Sequence, residues 1–304
     1  MRDNSYFNPV RILSGLNKSK ITKDFLPDGK TLIITDKFFT ISNVADELSG
    51  LIGRDDTVIF DGVLSNPELD DIDSAVNSFR GEGIVNVVAL GGGSVIDFAK
   101  AAAVFLKGSG GVTLDRCLRK ESAKSPAEKL FLMAIPTTAG TGSEVTPFAT
   151  VWDSVQQKKF SLAGDMVFPS MAILDPVLTA GVPQDVTLYT GLDVISHSLE
   201  SIWNRNSSPV SEAYAIQALH LSLKALPLVL EDGNNLAARG EMQWASTLAG
   251  LAISQTRTAI AHSISYPLTL KFGVPHGLAC GFTLESLIDV YIQRGDAKKN
   301  FINL

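Results

Sequence analysis

Cysteine is nearly missing from this sequence. Cys117 and Cys280 are the only two among 304 residues, too few and too far apart for a disulfide framework, and no Cys-x-x-Cys offers a zinc or redox pair. Both are expected as reduced thiols, and Cys280, inside Gly277-Leu278-Ala279-Cys280-Gly281, reads as a packing residue. Long apolar runs are missing as well. None reaches the ~18 residues of a membrane span, and the start, Met1-Arg2-Asp3-Asn4-Ser5-Tyr6-Phe7, has no apolar leader core. A cytoplasmic protein with no membrane partner is expected. Positive charge is scarce, 26 Lys and Arg against 32 Asp and Glu for a net charge of -6, so no clustered basic face invites a nucleic-acid partner. Gly-x-Ser-x-Gly does not occur, which removes the commonest serine-hydrolase reading.

What is present divides in two. The chain is 45% apolar and 19% charged, enough to bury a sizeable core, and at ~150 residues per domain its length predicts two domains. In the first half, apolar runs at residues 31–35, 57–60, 86–90, 131–135 and 172–174 are bounded by Asp, Gly or Pro, the pattern of strands buried on both faces of a parallel sheet. Helical periodicity at 38–53, 67–81 and 94–107 makes these βαβ units of an open α/β sheet. After about Pro183 the strand signal stops, and 3.6-residue periodicity takes over at 186–203, 210–230 and 236–254. The sequence therefore predicts an α/β domain over 1–183 and an all-helical domain over 184–304, divided at Val182-Pro183-Gln184-Asp185 with Asp185 capping the next helix. Ser109-Gly110-Gly111 and residues 120–128 read as surface loops.

The strand at 86–90 runs into Gly91-Gly92-Gly93-Ser94 and then a helix carrying Asp97. Three glycines let backbone approach a ligand closely, and free N–H groups at a helix start attract an anion such as a phosphate. The spacing is not Gly-x-Gly-x-x-Gly, and a tight strand-to-helix turn explains the loop equally well. A second polar loop, Pro136-Thr137-Thr138-Ala139-Gly140-Thr141-Gly142-Ser143-Glu144, also follows a strand, and ligands of open α/β sheets bind beyond such carboxyl ends. Asp36 follows the strand at 31–35. It has two readings: an acceptor for ribose hydroxyls that repels a 2′-phosphate and favours NAD over NADP, or a cap for the helix beginning near Phe38.

Asp193 and His197 are four apart in a helical pattern, one turn apart on one face, which suits two ligands of one metal. His262 and His276 lie further along, near Pro267 and Pro275. Singly, each histidine is more often packed or on the surface. Together, one carboxylate and three imidazoles form a mixed N/O set suited to Fe2+ or Zn2+, which leaves the ion a net charge of about +1 and able to accept a further oxygen as a Lewis acid. His220 stands apart, within 210–230, and reads as structural.

These residues resemble the group III, iron-type alcohol dehydrogenases, from about Thr31 to Leu284. The resemblance rests on Gly91-Gly92-Gly93-Ser94 with Asp97, the stretch from Thr137-Thr138 through Thr146, Leu192-Asp193-x-x-Ser196-His197, and Pro275-His276-Gly277. It implies a dehydroquinate-synthase-like fold with an N-terminal α/β domain, a helical C-terminal domain and an active site in the cleft. It also implies metal ligands at Asp193, His197, His262 and His276, a pyrophosphate loop at Gly91, Gly92, Gly93 and Ser94, cofactor-binding positions at Asp97, Thr137 and Thr138, and NAD preference at Asp36. Many members carry a further histidine where this chain has Tyr266, which makes Tyr266 the candidate proton-relay group. Members often read Asn-Ala-Gly-Leu-Gly where this chain has Gln255-Thr256-Arg257-Thr258-Ala259, so a cation stands near the site. They usually continue for several more helices, so a chain ending at Leu304 is expected to lack part of the helical domain.

The implied reaction is hydride transfer between NAD(H) and a primary alcohol or aldehyde at the metal, by an expected homo-oligomer, a dimer. Ala261-His262-Ser263-Ile264-Ser265-Tyr266-Pro267 also resembles members that reduce phosphonoacetaldehyde to 2-hydroxyethylphosphonate, and a guanidinium at Arg257 suits such an anion. On a continuous helix, however, the five residues from Arg257 to His262 span a rise of about 7.5 Å and a turn of about 140°, which points Arg257 away. The alternatives are a glycerol-dehydrogenase-like or dehydroquinate-synthase-like enzyme of the same superfamily and, from another class, a catalytically silent cofactor-binding or assembly protein.

Overall fold

The computed structural model describes residues 5–108, 112–119, 126 and 128–293; the expected loop at Ser109-Gly110-Gly111 and most of 120–128 lie outside the described residues. Two compact units form, one of residues 8–138 and 143–179, the other of 5–7, 139–142 and 180 onward.

In the first unit the chain runs β1 (Arg11–Ser14), β2 (Lys30–Ile34), α1 (Lys37–Ile41), α2 (Val44–Ile52), β3 (Thr57–Phe60), α3 (Leu69–Phe79), β4 (Ile84–Gly91), α4 (Gly93–Lys107), α5 (Leu114–Leu118), β5 (Phe131–Pro136), β6 (Phe148–Asp153), β7 (Lys158–Ala163) and β8 (Met171–Leu174). Six strands make a parallel sheet in the order β1-β8-β5-β4-β2-β3, while β6 and β7 pair as an antiparallel hairpin. The central strands are mostly apolar because both faces of the sheet are covered. Successive side chains point to opposite sides, so Leu32, Ile34, Val87, Ala89, Leu132 and Ala134 join one core with Ile72 and Val76 of α3 and Phe98 and Val104 of α4. Their neighbours Ile33, Val88, Leu90, Met133, Ile135 and Ile173 join the other, with Ala45, Leu48 and Ile52 of α2. From β2 the chain goes out to β3 and returns on the other side of β2 to β4, so the strand order reverses between β2 and β4, the place where open α/β sheets bind ligands.

The five strands expected from sequence are present as β2, β3, β4, β5 and β8. Three features differ. The edge strand β1 is only four residues, Arg-Ile-Leu-Ser, too short for a periodic signal. The hairpin β6–β7 alternates buried and accessible residues along β6, an amphipathic pattern unlike the fully apolar runs of the sheet. The helix expected over 38–53 is divided by Asn43, whose φ of 62° is left-handed, a conformation Asn tolerates better than most residues.

The second unit is helical: α6 (Gln184–Ile202), α7 (Pro209–Glu231), α8 (Leu236–Thr256), α9 (Ile260–Phe272), α10 (His276–Gly281) and α11 (Leu284–Gln293). The first three follow the sequence periodicity, and small residues line their seam, with Val194, Ala218, Ala225, Ala245 and Ala249 in one core. Asp185 does not cap α6. Pro183 occupies the N-cap without a side-chain bond, and Asp185 lies in the first turn, accepting from the N–H of Val186 at 2.8 Å; Pro is suited to that end of a helix because it has no N–H to leave unpaired. By length and composition alone α7 could cross a membrane. It nonetheless begins with a Ser208–Ser211 capping box and buries Ala215, Ala218, Leu219, Ser222, Ala225, Leu226 and Val229, the single stripe of a bundle helix.

A buried cation holds the first unit's loops. Lys100, on α4, is fully buried and its Nζ donates to Ser143 Oγ at 2.9 Å, Thr146 Oγ1 at 3.0 Å and the Phe148 carbonyl at 2.7 Å. Burial pushes its pKa down to about 8, against the pull of Asp97 and Glu144. Lys100→Met would leave those carboxylates without their cation, and breaking a buried pair costs about 3 kcal/mol. Urea denaturation should show a loss of that size, whereas Lys107→Met, at an exposed pair, should change stability by less than about 0.5 kcal/mol; equal effects from the two would remove Lys100 from this role.

Candidate functional site

In the first unit, the loops beyond β2, β4 and β5 carry the residues singled out from sequence. Gly92 is the N-cap of α4 with no side-chain bond, in extended conformation. None of Gly91, Gly92 and Gly93 has a positive φ, so the glycines serve close approach, not an unusual turn. A Cβ at Gly91 would lie 2.5 Å from Val95 Cγ2, and one at Gly92 3.2 Å from Thr138 Oγ1. The loop thus presents bare backbone at the start of a 15-residue helix, an arrangement that could take a phosphate. Ser94 Oγ accepts from the N–H of Asn66 at 3.4 Å, and Thr137 N donates to the Gly91 carbonyl at 3.1 Å, which holds the second loop beside the first.

Asp36 caps α1, accepting from the N–H of Phe38 at 2.9 Å. Burial raises its carboxyl pKa, against hydrogen bonds from Phe38 and Phe39 that lower it. The capping alternative is therefore realised in the structure. Asp97 accepts from Ser143 Oγ and, at 2.7 Å, from the N–H of Thr150, so its carboxylate pins the segment after the second loop. Burial raises its pKa, with Lys100 and these bonds opposing.

In the second unit, Asp193, His197, His262 and His276 come together. Asp193 and His197 lie on α6, His262 on α9 and His276 at the start of α10. Asp193 Oδ1 is 3.3 Å from His262 Nε2, 3.7 Å from His197 Nε2 and 3.9 Å from His276 Nε2. His197 and His262 stack with ring centroids 4.6 Å apart. Asp193 Oδ1 and His262 Nε2 are buried and have no hydrogen-bond partner among the described residues. Burial alone would raise the Asp193 carboxyl, but His197, His262 and His276 hold it well below the carboxylate range. Burial pushes His197 down to about 4. An anionic oxygen and an imidazole nitrogen, both buried and aimed at one point, form a donor set that fits a divalent cation. His220 is exposed on α7 and stands apart from the cluster.

Sequence reasoning missed Glu200. It is fully buried one turn beyond His197, and accepts from the N–H of Ala259 at 2.8 Å, from the N–H of Ala261, and from His262 Nδ1 at 2.7 Å. That carboxylate favours a proton on Nδ1 of His262, the tautomer that would leave Nε2 to a metal; without an ion, burial is outweighed by Asp193, Cys280 and Glu200, which raise the His262 pKa well above its usual value. The signal was available: Asp193, His197 and Glu200 follow the 0, 4, 7 spacing of one helix face. Also missed was the setting of Cys280. Its Sγ lies 3.9 Å from His276 Nε2, because four residues on one helix bring the two side chains to one face; burial raises the thiol pKa, but His262 and His276 hold it below its usual value.

Arg257 is not on a helix with His262. α8 ends at Thr256 and α9 begins at Ile260, so the helical rise and rotation expected from sequence do not apply. Arg257 is exposed with φ 62° and ψ 179°. Tyr266 lies on α9 with its ring nearly parallel to that of His276, centroids 6.2 Å apart.

A doubly covered parallel sheet in one unit and a helical unit with an imidazole-ringed carboxylate in the other are the marks of the dehydroquinate-synthase-like class of folds. Residues 9–176 match the iron-containing alcohol dehydrogenase profile and residues 187–303 that of the Fe-containing alcohol dehydrogenase family, C-terminal. The chain belongs to the iron-containing alcohol dehydrogenase family. It is 43% identical over 206 residues to phosphonoacetaldehyde reductase of Streptomyces viridochromogenes, a match covering 66% of this chain and 52% of that one. It is 33% identical over 286 residues to 1-propanol dehydrogenase PduQ of Salmonella typhimurium, covering 94% of this chain and 73% of that one. Among solved structures, sulfoacetaldehyde reductase from Bifidobacterium kashiwanohense in complex with NAD+ superposes with a TM-score of 0.91 at 34% identity, over 96% of this chain and 77% of that one. The match to phosphonoacetaldehyde reductase thus spans about half of that relative's length.

If Glu200 sets the tautomer of His262, Glu200→Gln should weaken metal binding by about 10–100-fold, the usual effect of losing such an outer partner. Titration of the metal-free protein against a chromogenic chelator reads this directly. Unchanged affinity in a variant that keeps the wild-type Tm would show that Glu200 only anchors α9.

Proposed function

We propose that this chain is an NAD(H)-dependent, metal-dependent alcohol dehydrogenase working as an aldehyde reductase, with a small anionic aldehyde such as phosphonoacetaldehyde as substrate and 2-hydroxyethylphosphonate as product. The observation that carries the reading is the buried Asp193 oxygen with three imidazole nitrogens within 3.9 Å and no hydrogen-bond partner among the described residues. Asp193, His197, His262 and His276 would hold Fe2+ or Zn2+, which when bound supplies Lewis acidity toward a carbonyl oxygen. Gly91, Gly92, Gly93 and Ser94 would take the pyrophosphate on the free N–H groups of α4, with Thr137 and Thr138 beside it. Asp97 would keep the loops in place. Asp36 would accept from the ribose hydroxyls while capping α1. NADH bound there would supply hydride to the aldehyde carbon, and Tyr266, beside His276, is the candidate to relay a proton to the oxygen. A cytoplasmic homodimer belongs to the same proposal, the location being consistent with Cys117 and Cys280 standing outside any disulfide.

Arg257 supports an anionic substrate. Its φ of 62° with ψ of 179° falls in a region that only glycine populates freely, at a cost of about 1–3 kcal/mol for other residues. The conformation is held by Arg257 N donating to the Ile253 carbonyl at 2.8 Å and by Asn204 Nδ2 donating to the Arg257 carbonyl at 3.3 Å. An arginine kept where glycine would relieve strain fits a guanidinium that binds something. Two similar proteins, phosphonoacetaldehyde reductase and sulfoacetaldehyde reductase, are named for two-carbon aldehydes bearing an acidic group.

The test is NADH oxidation by the metal-free chain after addition of Fe2+ or Zn2+, with phosphonoacetaldehyde and propionaldehyde compared. Metal-dependent turnover favouring the charged aldehyde is expected. Arg257→Gly should keep or raise Tm, because the strain is relieved, while kcat/KM for phosphonoacetaldehyde falls about 10–100-fold, the worth of a charged hydrogen bond, and that for propionaldehyde holds. Equal loss for both aldehydes would remove Arg257 from substrate binding, and no turnover with any aldehyde would favour the silent cofactor-binding alternative.

A further inference from the structure

The donor atoms around Asp193 include a sulfur. One ligand atom each from Asp193, His262, His276 and Cys280 lie within 4.8 Å of one another. In a tetrahedral zinc site, bonds of about 2.0 Å to nitrogen or oxygen and 2.3 Å to sulfur set donor separations of about 3.3–3.5 Å. Here Asp193 Oδ1 and His262 Nε2 are 3.3 Å apart, Asp193 Oδ1 and His276 Nε2 3.9 Å, and Cys280 Sγ and His276 Nε2 3.9 Å. Bringing a separation at the 4.8 Å limit of the set down to about 3.5 Å takes a movement of about 1.3 Å shared between two side chains. Cys280 is fully buried, and the partnerless Asp193 Oδ1 and His262 Nε2 are aimed at the same point.

We propose that Cys280 is a metal ligand, giving the centre a second donor set of Asp193, His262, His276 and Cys280 beside the one that uses His197. This rests on the metal centre proposed above. The two sets share three residues and differ in one: an imidazole from α6 or a thiolate from α10. The thiol proton leaves to solvent as the metal–sulfur bond forms. With two anionic ligands in place of one, the bound divalent ion carries no net charge where the imidazole set leaves about +1. A softer set selects Zn2+ over Fe2+, and the neutral centre is a weaker Lewis acid. Cys280 thereby sets which metal the centre prefers.

The experiment adds Co2+, as a spectroscopic stand-in for Zn2+, to the metal-free chain and to Cys280→Ala. Wild type should show both the visible ligand-field bands of a low-coordinate Co2+ and a near-ultraviolet thiolate-to-cobalt charge-transfer band. The variant should keep the first and lose the second, and its preference for Zn2+ over Fe2+ in competition should fall about tenfold or more, at least the effect of losing an outer partner. X-ray absorption of the Zn2+-loaded wild type, which needs no variant, should show a sulfur neighbour at about 2.3 Å. Ligand-field bands without charge transfer, or charge transfer that persists in Cys280→Ala and so comes from Cys117, would overturn the sulfur ligand and leave the metal centre standing. Failure of wild type to bind Co2+ or Zn2+ at all would overturn the metal centre itself.

Discussion

Asp193 is a carboxylate 4% exposed, held among imidazoles, with one oxygen that no hydrogen bond satisfies among the described residues. Taking an anion out of water costs several kcal/mol even after relaxation, and protonation does not relieve it here, because the surrounding histidines hold the carboxyl well below its usual pKa. The imidazoles compensate unequally: burial pushes His197 toward its neutral form, whereas at His262 burial is outweighed by Asp193, Cys280 and Glu200, which raise its pKa well above the usual value. The divalent cation proposed for this cluster would resolve the conflict by pairing the carboxylate and letting the histidines be neutral. Much of the helical unit is arranged around that requirement, from Glu200 orienting His262 to the glycine that lets α10 approach α6.

How much of this was legible in the sequence depended on the range of each interaction. Asp193 and His197 could be read together because a helix turns chemistry four residues apart onto one face. The five buried strands were readable because a sheet covered on both sides needs uninterrupted apolar runs, and β1 and β6–β7 were not, being too short or one-sided. Glu200 had the right spacing but no distinguishing residue type, and acids on helices are usually solvated. Cys280 was hidden by apolar neighbours that do describe its packing but not the direction of its sulfur. Arg257 was misplaced on a helix because nothing in Gln255-Thr256-Arg257-Thr258-Ala259 is a conventional breaker; the chain leaves α8 through a strained arginine where glycine or proline would have announced the turn.

The α/β unit meets a similar demand by different means. Its loops are organised by Lys100, a cation buried with internal partners, where the helical unit has Asp193, an anion buried without enough of them. Lys100 is satisfied by Ser143, Thr146 and the Phe148 carbonyl, and Asp97 beside it is satisfied by Ser143 and Thr150. A satisfied network is structural scaffolding. It ties residues 143–150 to α4 without exposing a reactive group, while Thr137 N–H to the Gly91 carbonyl joins the two loops, which suits a surface that would bind a cofactor through main-chain N–H groups.

The unsatisfied cluster depends on backbone contact at a resolution no side chain could provide. A Cβ at Gly277 would lie 1.8 Å from the Tyr189 carbonyl oxygen and 3.3 Å from Asp193 Cβ, so α10 rests directly on the backbone of α6. Any larger residue would push α10 outward, and His276 and Cys280 would move with it, since both project from that short helix. Donors that are 3.9 Å apart stay within reach of one ion after shifts of a few tenths of an ångström but not after a displacement of an ångström or more. Gly277 would therefore act on the proposed metal centre through distance, although its own φ is ordinary and it contributes no donor atom.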